Sequence, residues 1–292
     1  MSMKHKRWTH IGLSAAMVGT AFLAGCGEGG ETGEAGEAGD HAITETTALG
    51  GEGEGEGEGE GEGTTAPAGL PEGGEGEGGV AIDAAASDPV VFGSALAITE
   101  AHIIAARDAA AAGQTEAAAE MFAHPVSEVL FDMEDILVAQ GVTLFDDKLS
   151  AASQAVLAGE STEEIAARTD DIIAALRDAA THAPDNGIST AMVNAGVAAD
   201  QIKRAAHMYT LAGKSDEYEP YLDGYGFVKA AEAHFALSKN GIEAANPDAA
   251  SAIQSALKQL SAAYPTATRP AELPGDAAKL TAASSNVALA LQ

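Results

Sequence analysis

Residues 115–140 read TEAAAEMFAHPVSEVLFDMEDILVAQ, and their pattern decides the fold class. Apolar side chains recur every three or four residues and share one face of a helix, because successive residues turn by about 100°. That face comprises Val126, Val129, Leu130, Met133, Ile136 and Leu137. We therefore predict one long amphipathic helix that ends before Gly141.

The rest of residues 80–292 shows the same pattern between helix start and stop signals. Ser87-Asp88-Pro89 places a capping residue before proline, Ser161 with Glu164 forms a capping box, and Asn240-Gly241 predicts a helix end. The predicted helices cover 89–112, 115–140, 147–158, 162–182, 189–213, 216–239, 247–264 and 276–292. We predict an all-α fold in residues 81–292, a bundle of about eight helices with two packed sub-bundles as one arrangement.

Charge divides the 292-residue chain into three parts. Residues 1–26 hold three basic residues and no acid, and residues 27–79 hold fifteen acids, twenty glycines and no base. The remaining residues carry a net charge of −17. This acidity excludes nucleic acid as a partner, because binding phosphates needs a basic face. One cysteine also excludes an internal disulfide framework.

The first 25 residues have the pattern of an export signal. Three basic residues precede an uncharged run at 11–23, which is too short to span a bilayer. The run ends in Leu23-Ala24-Gly25-Cys26, which resembles the lipobox of bacterial lipoproteins. The resemblance implies that the signal is removed and that Cys26 carries a diacylglyceryl thioether as a membrane anchor. The alternative is an ordinary cleaved signal with an incidental cysteine.

Residues 26–80 are predicted to be a lipidated cysteine followed by a disordered acidic linker. The segment is rich in glycine and glutamate and has almost no apolar side chain to bury, so it cannot offset the entropy cost of ordering. Residue 27 is glycine and not the aspartate that retains enteric lipoproteins in the inner membrane. We therefore expect an extracytoplasmic protein of the cell envelope, with the outer membrane or cell surface favoured over the periplasmic side of the inner membrane.

The polar face of the second predicted helix contains the first candidate metal ligands. This face comprises Glu120, His124, Glu128, Phe131 and Asp135. The i, i+4 spacing places the His124 imidazole beside the Glu128 carboxylate, and Pro125 is expected to bend the helix there. Imidazole with carboxylates suits Fe, Mn or Zn. The alternative is a solvated acidic face with an incidental histidine, although Phe131 indicates that something covers this face.

Residues 217–227, EYEPYLDGYGF, contain the second candidate set. Glu219 and Asp223 share one helical face, and we predict that one of them completes a site with His124 and Glu128. Three tyrosines of residues 218–225 form a stripe that predicts a core face. Two glycines, at 224 and 226, would let another helix or a ligand approach closely.

This second stretch carries a family resemblance. The pattern Glu219-x-x-x-Asp223-x-Tyr-Gly-Phe, with His207-Met208-Tyr209 upstream, resembles helical extracytoplasmic modules of bacterial iron uptake, either iron-permease-associated or imelysin-like. The resemblance implies an all-α module and an iron-type metal. Two of the family's metal motifs, Arg-Glu-x-x-Glu and Gly-x-His-x-x-Glu, do not occur, and the nearest match is His124-x-x-x-Glu128.

The other histidines of this region, His102, His182, His207 and His234, lie on separate predicted helices. Their density is ordinary, so we interpret each as a partly buried polar residue. No His-Glu-x-x-His, Gly-x-Ser-x-Gly or dinucleotide glycine motif occurs, and we expect no enzyme. Two hypotheses remain open: a lipid-anchored binding protein for a divalent metal or small solute, and a non-catalytic structural lipoprotein that docks another envelope protein.

Overall fold

The computed structural model describes residues 79–292, and within this range all regular structure is helical. The α-helices are α1 (Ile82–Ala85), α2 (Pro89–Ala111), α3 (Thr115–Pro125), α4 (Phe131–Ala139), α5 (Asp146–Leu157), α6 (Thr162–Ala180), α7 (Thr190–Ala212), α8 (Glu219–Ala245), α9 (Pro247–Ala263) and α10 (Ala277–Ala290). A π-helical segment, Val126–Leu130, joins α3 to α4. The all-α prediction is confirmed. The signal peptide, Cys26 and nearly all of the acidic linker lie outside the described residues and stay predictions.

Helix α2 is the centre of the fold. Its sequence is apolar around almost the whole circumference, and nearly all of its residues are buried. It packs against α3 and α6 on one side and against α7 and α8 on the other. Among the described residues, α2 is the one helix long and apolar enough to cross a membrane, but 94% of its apolar stretch is buried inside the fold. Its composition is therefore that of a core helix.

The helices form two groups on either side of α2. In the first group, α3 packs against α2 and α5, and α6 packs against α2 and α5. In the second group, α7 contacts α8, α9 and α10, and α9 contacts both α8 and α10. This is the arrangement of two packed sub-bundles, and α2 belongs to the core of both.

The second predicted helix is not continuous, which corrects the sequence prediction. Its first part is α3 and its last part is α4, and between them the Phe131 N–H donates to the Val126 carbonyl, five residues back. Pro125 explains the interruption, because proline has no N–H to donate to the preceding turn and its ring crowds that turn. The predicted apolar face nevertheless packs into the core, where Val129, Met133 and Leu137 are buried.

The predicted end of the sixth helix, at about Lys239, coincides with a kink and not with the last residue of the helix. Helix α8 continues past Asn240-Gly241 to Ala245, with a kink at Ser238, where φ is −131° and ψ is 15°. Contacts from α7 hold this end in place: the Asn194 amide donates to the Ser238 hydroxyl at 2.8 Å, and Gly241 lies against the Ala191 methyl group. The tertiary contacts override the local stop signal. The single turn α1 was not predicted.

The two glycines of α8 admit parts of the protein itself. A methyl group at Gly224 would meet the Tyr264 ring, and one at Gly226 would meet the Ala101 carbonyl oxygen of α2. The backbones of α2 and α8 therefore approach closely at Ala101. This approach brings the residue after Ala101, His102, beside Asp223 of α8.

Candidate metal centre

Five polar side chains from four segments meet where α2, α3 and α8 come together, and we call them the His–carboxylate cluster. They are His102 of α2, His124 of α3, Glu128 of the π-helical segment, and Glu219 and Asp223 of α8. All four residues proposed from the sequence lie in this cluster. His102, which lies between these side chains, was interpreted from the sequence as a partly buried polar residue and not as a ligand. That these groups bind metal stays a prediction.

The distances in the cluster suit a shared ion. One ligand atom each of His102, His124 and Glu128 lies within 4.8 Å of the other two. His102 Nε2 is 3.9 Å from a Glu128 oxygen and 3.6 Å from Asp223 Oδ1, and His124 Nδ1 is 3.5 Å from Glu219 Oε1. Two ligands bonded at about 2.1 Å to one ion lie roughly 3.0 to 4.2 Å apart. Small side-chain rotations would therefore bring these atoms into a coordination sphere.

His102 is held in the tautomer that a metal ligand needs. Its Nδ1 lies 2.9 Å from the Ile98 carbonyl oxygen, one turn earlier in α2. A carbonyl oxygen can only accept a hydrogen bond, so Nδ1 carries the proton and donates it. The lone pair of the neutral ring is then on Nε2, which is the atom nearest to Glu128 and Asp223. Metal-bound histidines commonly have their second nitrogen fixed in this way.

Burial keeps this histidine neutral. The His102 side chain is 1% exposed, and this burial lowers its pKa to about 4. The hydrogen bond with Ile98 acts in the opposite direction, while electrostatic interactions with His124 and Arg204 lower the pKa further. At neutral pH the imidazole is therefore uncharged, and no proton has to leave it before a cation binds.

Exposure rises steadily across the cluster. His102 and Asp223 are fully buried, His124 and Glu128 are about a quarter to a third exposed, and the Glu219 side chain is 55% exposed. The cluster thus runs from solvent at Glu219 to the core at Asp223.

The local sequence explains how His124 and Glu128 face the core histidine. They lie on either side of the change from α-helix to π-helix, with His124 Nδ1 and Glu128 Oε1 4.0 Å apart. The side-by-side placement expected from their spacing is therefore present. The wider π-helical turn sets the direction of the Glu128 carboxylate, and such turns are frequent at functional sites.

Phe227 of α8 forms the apolar wall of the cluster. Its ring is fully buried and meets the His102 ring edge-on, with ring centres 5.9 Å apart and an angle of 88° between planes. Because the ring blocks one side of the imidazole, it helps to fix the direction of Nε2.

The remaining histidines have other partners. His182 Nδ1 lies 3.0 Å from the Gln140 carbonyl oxygen, and His234 Nδ1 lies 3.0 Å from the Asn194 amide oxygen. His207 is exposed on α7. The interpretation as a partly buried polar residue fits His182, whereas His234 is buried and His207 is exposed.

The C-terminal helices are similar to a known domain. Residues 215–292 match the family model of the iron permease-associated 4-helix bundle domain. The resemblance to iron-permease-associated modules stated from the sequence is thereby confirmed for this part of the chain, which contains Glu219 and Asp223. No curated protein and no solved structure matches the chain.

Proposed function

We propose that this protein is a lipid-anchored, extracytoplasmic binding protein that holds a divalent metal ion of the iron type in its His–carboxylate cluster. The observation that carries the proposal is the state of His102: its ring is buried and neutral, its Nδ1 proton is engaged by Ile98, and its Nε2 faces two carboxylates. His102, His124 and Glu128 supply two imidazoles and one carboxylate. Asp223 and Glu219 supply further oxygen ligands.

The ligand chemistry favours iron and its neighbours. Two imidazoles with carboxylates and no thiolate suit Fe(II), Mn(II) and Zn(II), and a two-histidine, one-carboxylate set is typical of non-haem Fe(II). The match of residues 215–292 to a domain associated with iron permeases supports iron as the cargo. Binding and transfer of the ion is the proposed role, without catalysis.

Metal titration of the full chain tests the proposal. The protein is stripped with a chelator, Fe(II), Mn(II) and Zn(II) are added separately without oxygen, and unfolding is followed by circular dichroism. A ligand that binds only the folded state at 100 times its Kd adds about 2.7 kcal/mol to the unfolding free energy. We expect Fe(II) to raise Tm, and we expect His124→Ala and Glu128→Gln to remove most of this rise.

His207→Ala is the matched control, because His207 is an exposed histidine on α7, which contributes no residue to the His–carboxylate cluster. This variant should retain the full rise in Tm. If none of the three metals stabilises the wild type, or if His207→Ala removes the effect as strongly as His124→Ala does, the proposed metal centre is wrong.

The membrane anchor is tested at Cys26. Each CH₂ group of an acyl chain that is buried in the membrane adds about 0.8 kcal/mol to the free energy of binding. A diacylglyceryl group with further acyl chains therefore makes attachment to the membrane stable. Cys26→Ala should therefore release the protein from the membrane fraction, and the wild type should incorporate radiolabelled palmitate. Equal membrane fractionation of the variant and the wild type would exclude lipidation at Cys26.

A further inference from the structure

Next to the π-helical segment the surface contains an apolar groove with acidic edges, which we call the α4 groove. Its volume is about 130 Å³. It is lined by Val126, Leu130, Phe131, Glu134, Leu137, Leu144, Phe145 and Asp146. None of these residues belongs to the His–carboxylate cluster, and the groove is a separate feature of the surface.

Large apolar side chains are exposed at the groove. Of the lining residues, Phe131 is 72% exposed and Leu144 on the facing loop is 39% exposed. Val138 does not line the groove, but it is 56% exposed on the same helix. The sequence indicated that something covers Phe131, and no described part of the chain does so. Phe131 and Val138 are seven residues apart on α4, so they share one face about 10 Å in length. Two turns of a partner helix would cover that length.

The two charged residues that line the groove, Glu134 and Asp146, are both acidic. The exposed face of α4 carries Asp132, Glu134 and Asp135, and Asp146 and Asp147 follow on the opposite side. Residues 126–147 contain no lysine or arginine. The next base along the chain, Lys148, is already paired with Asp171. An occupant must therefore bring its own positive charges.

This charge pattern selects one occupant. The chain's own segment 27–79 has fifteen acids, no base and few apolar side chains, so it would be repelled. A second copy would present the same acidic edges, and an anionic lipid surface would be repelled as well. We propose that the α4 groove docks a basic amphipathic helix of a partner protein, whose apolar side chains cover Phe131 and Val138 while its lysines or arginines meet the acidic edges.

A synthetic helix serves as the probe. It has about fourteen residues, with leucines at i, i+3, i+4 and i+7 and lysines elsewhere, and a second peptide has glutamate in place of each lysine. Binding to the full chain is measured by fluorescence anisotropy at low and at high salt. The lysine peptide should bind, more weakly as salt rises, and the glutamate peptide should not.

Two double variants distinguish peptide binding in the groove from non-specific attraction of the basic peptide to the acidic protein. Phe131→Ala with Val138→Ala should weaken binding about tenfold or more, and both side chains are exposed enough that the fold should be retained. The control pair, Leu157→Ala with Leu289→Ala, removes two leucines that are 63% and 64% exposed elsewhere. It should bind as the wild type does.

Several results would overturn the proposal. The first two are that the wild type does not bind the lysine peptide, and that both pairs of variants lose the same amount of peptide affinity. The other two are self-association of the protein that Phe131→Ala removes, and binding to lipid vesicles that depends on Phe131. The last two would assign the groove to a second copy or to a lipid surface. The outcome of the metal titration does not affect this test, because the groove and the cluster share no side chain.

Discussion

The buried His102 is expected to make the folded protein less stable at acidic pH. The pKa of His102 is lowered to about 4, mainly by burial, whereas in an unfolded chain it is near 6.5. Between these values the unfolded chain binds a proton that the folded chain excludes. The unfolding free energy should therefore be highest above pH 6.5 and should fall as the pH decreases toward 4, by about 3 kcal/mol in total from this group.

The variant His102→Gln tests this prediction, since glutamine does not titrate. Urea unfolding in the presence of a chelator should show the wild type losing stability between pH 7 and pH 5 more steeply than His102→Gln. The exposed His207→Gln should follow the wild type. If His102→Gln and the wild type have the same pH dependence, the His102 imidazole is not held neutral by burial.

At the scale of single residues, the sequence identified those members of the cluster that lie close to one another along the chain. His124 with Glu128 and Glu219 with Asp223 are pairs at i, i+4 spacing, so helical geometry alone places each pair together. His102 could not be found in this way. It joins the cluster because Gly226 lets α8 approach α2 at Ala101, the residue before His102. Ala101 and Gly226 are more than 100 residues apart in the sequence.

At the scale of elements, the π-helical segment determines where Glu128 points. A π-helical turn holds one residue more than an α-helical turn, so the deletion of one residue can restore a regular helix. We expect deletion of the exposed Ser127 to retain the fold, because α4 keeps its buried face, and to rotate Glu128 by about 100° relative to His124. Metal affinity, measured by calorimetry, should fall about tenfold or more.

Ser127→Ala is the control for this deletion. It removes the hydroxyl that donates to the His124 carbonyl at 3.3 Å but keeps the length of the segment. It should bind metal as the wild type does. An intact far-ultraviolet circular dichroism spectrum with unchanged affinity in the deletion variant would mean that the π-helical turn has no part in placing Glu128.

Helix starts were easier to predict than helix ends. Asp88 accepts hydrogen bonds from Val90 N and Val91 N, and Ser161 with Glu164 forms the capping box that the sequence predicted. These caps depend on neighbours within three residues. The last turns of α8 contact Asn194 and Ala191 of α7. Such contacts between helices cannot be read from the local sequence Asn240-Gly241.

At the scale of the whole molecule, the helices of residues 215–292 pack against a helix that lies outside the matched stretch. Residues 215–292 contain α8, α9 and α10, and the fourth helix that packs with them is α7, which lies upstream. The contacts are specific as well as apolar. The buried Tyr264 hydroxyl donates to the Ala205 carbonyl at 2.9 Å, and Arg269 Nη2 donates to the Ala212 carbonyl at 3.0 Å. Without α7 the Tyr264 hydroxyl loses this acceptor, and Arg269 Nη2 keeps only the Ser215 carbonyl, at 2.9 Å.

We therefore predict that residues 215–292 alone do not fold and that residues 186–292 do. Without α7, buried side chains such as Tyr221 and Tyr264 would face water, at a cost of about 1.5 to 3 kcal/mol for each large apolar group. Circular dichroism should show little helix and no cooperative melt for 215–292. The longer fragment should be helical and melt cooperatively, at a lower Tm than the full chain, because it lacks the contacts of α7 and α8 with α2.

A version of 186–292 with residues 190–212 scrambled controls for length and should behave as the shorter fragment does. A cooperative melt of 215–292 as a monomer would show that α7 is dispensable and that the three matched helices form a complete unit.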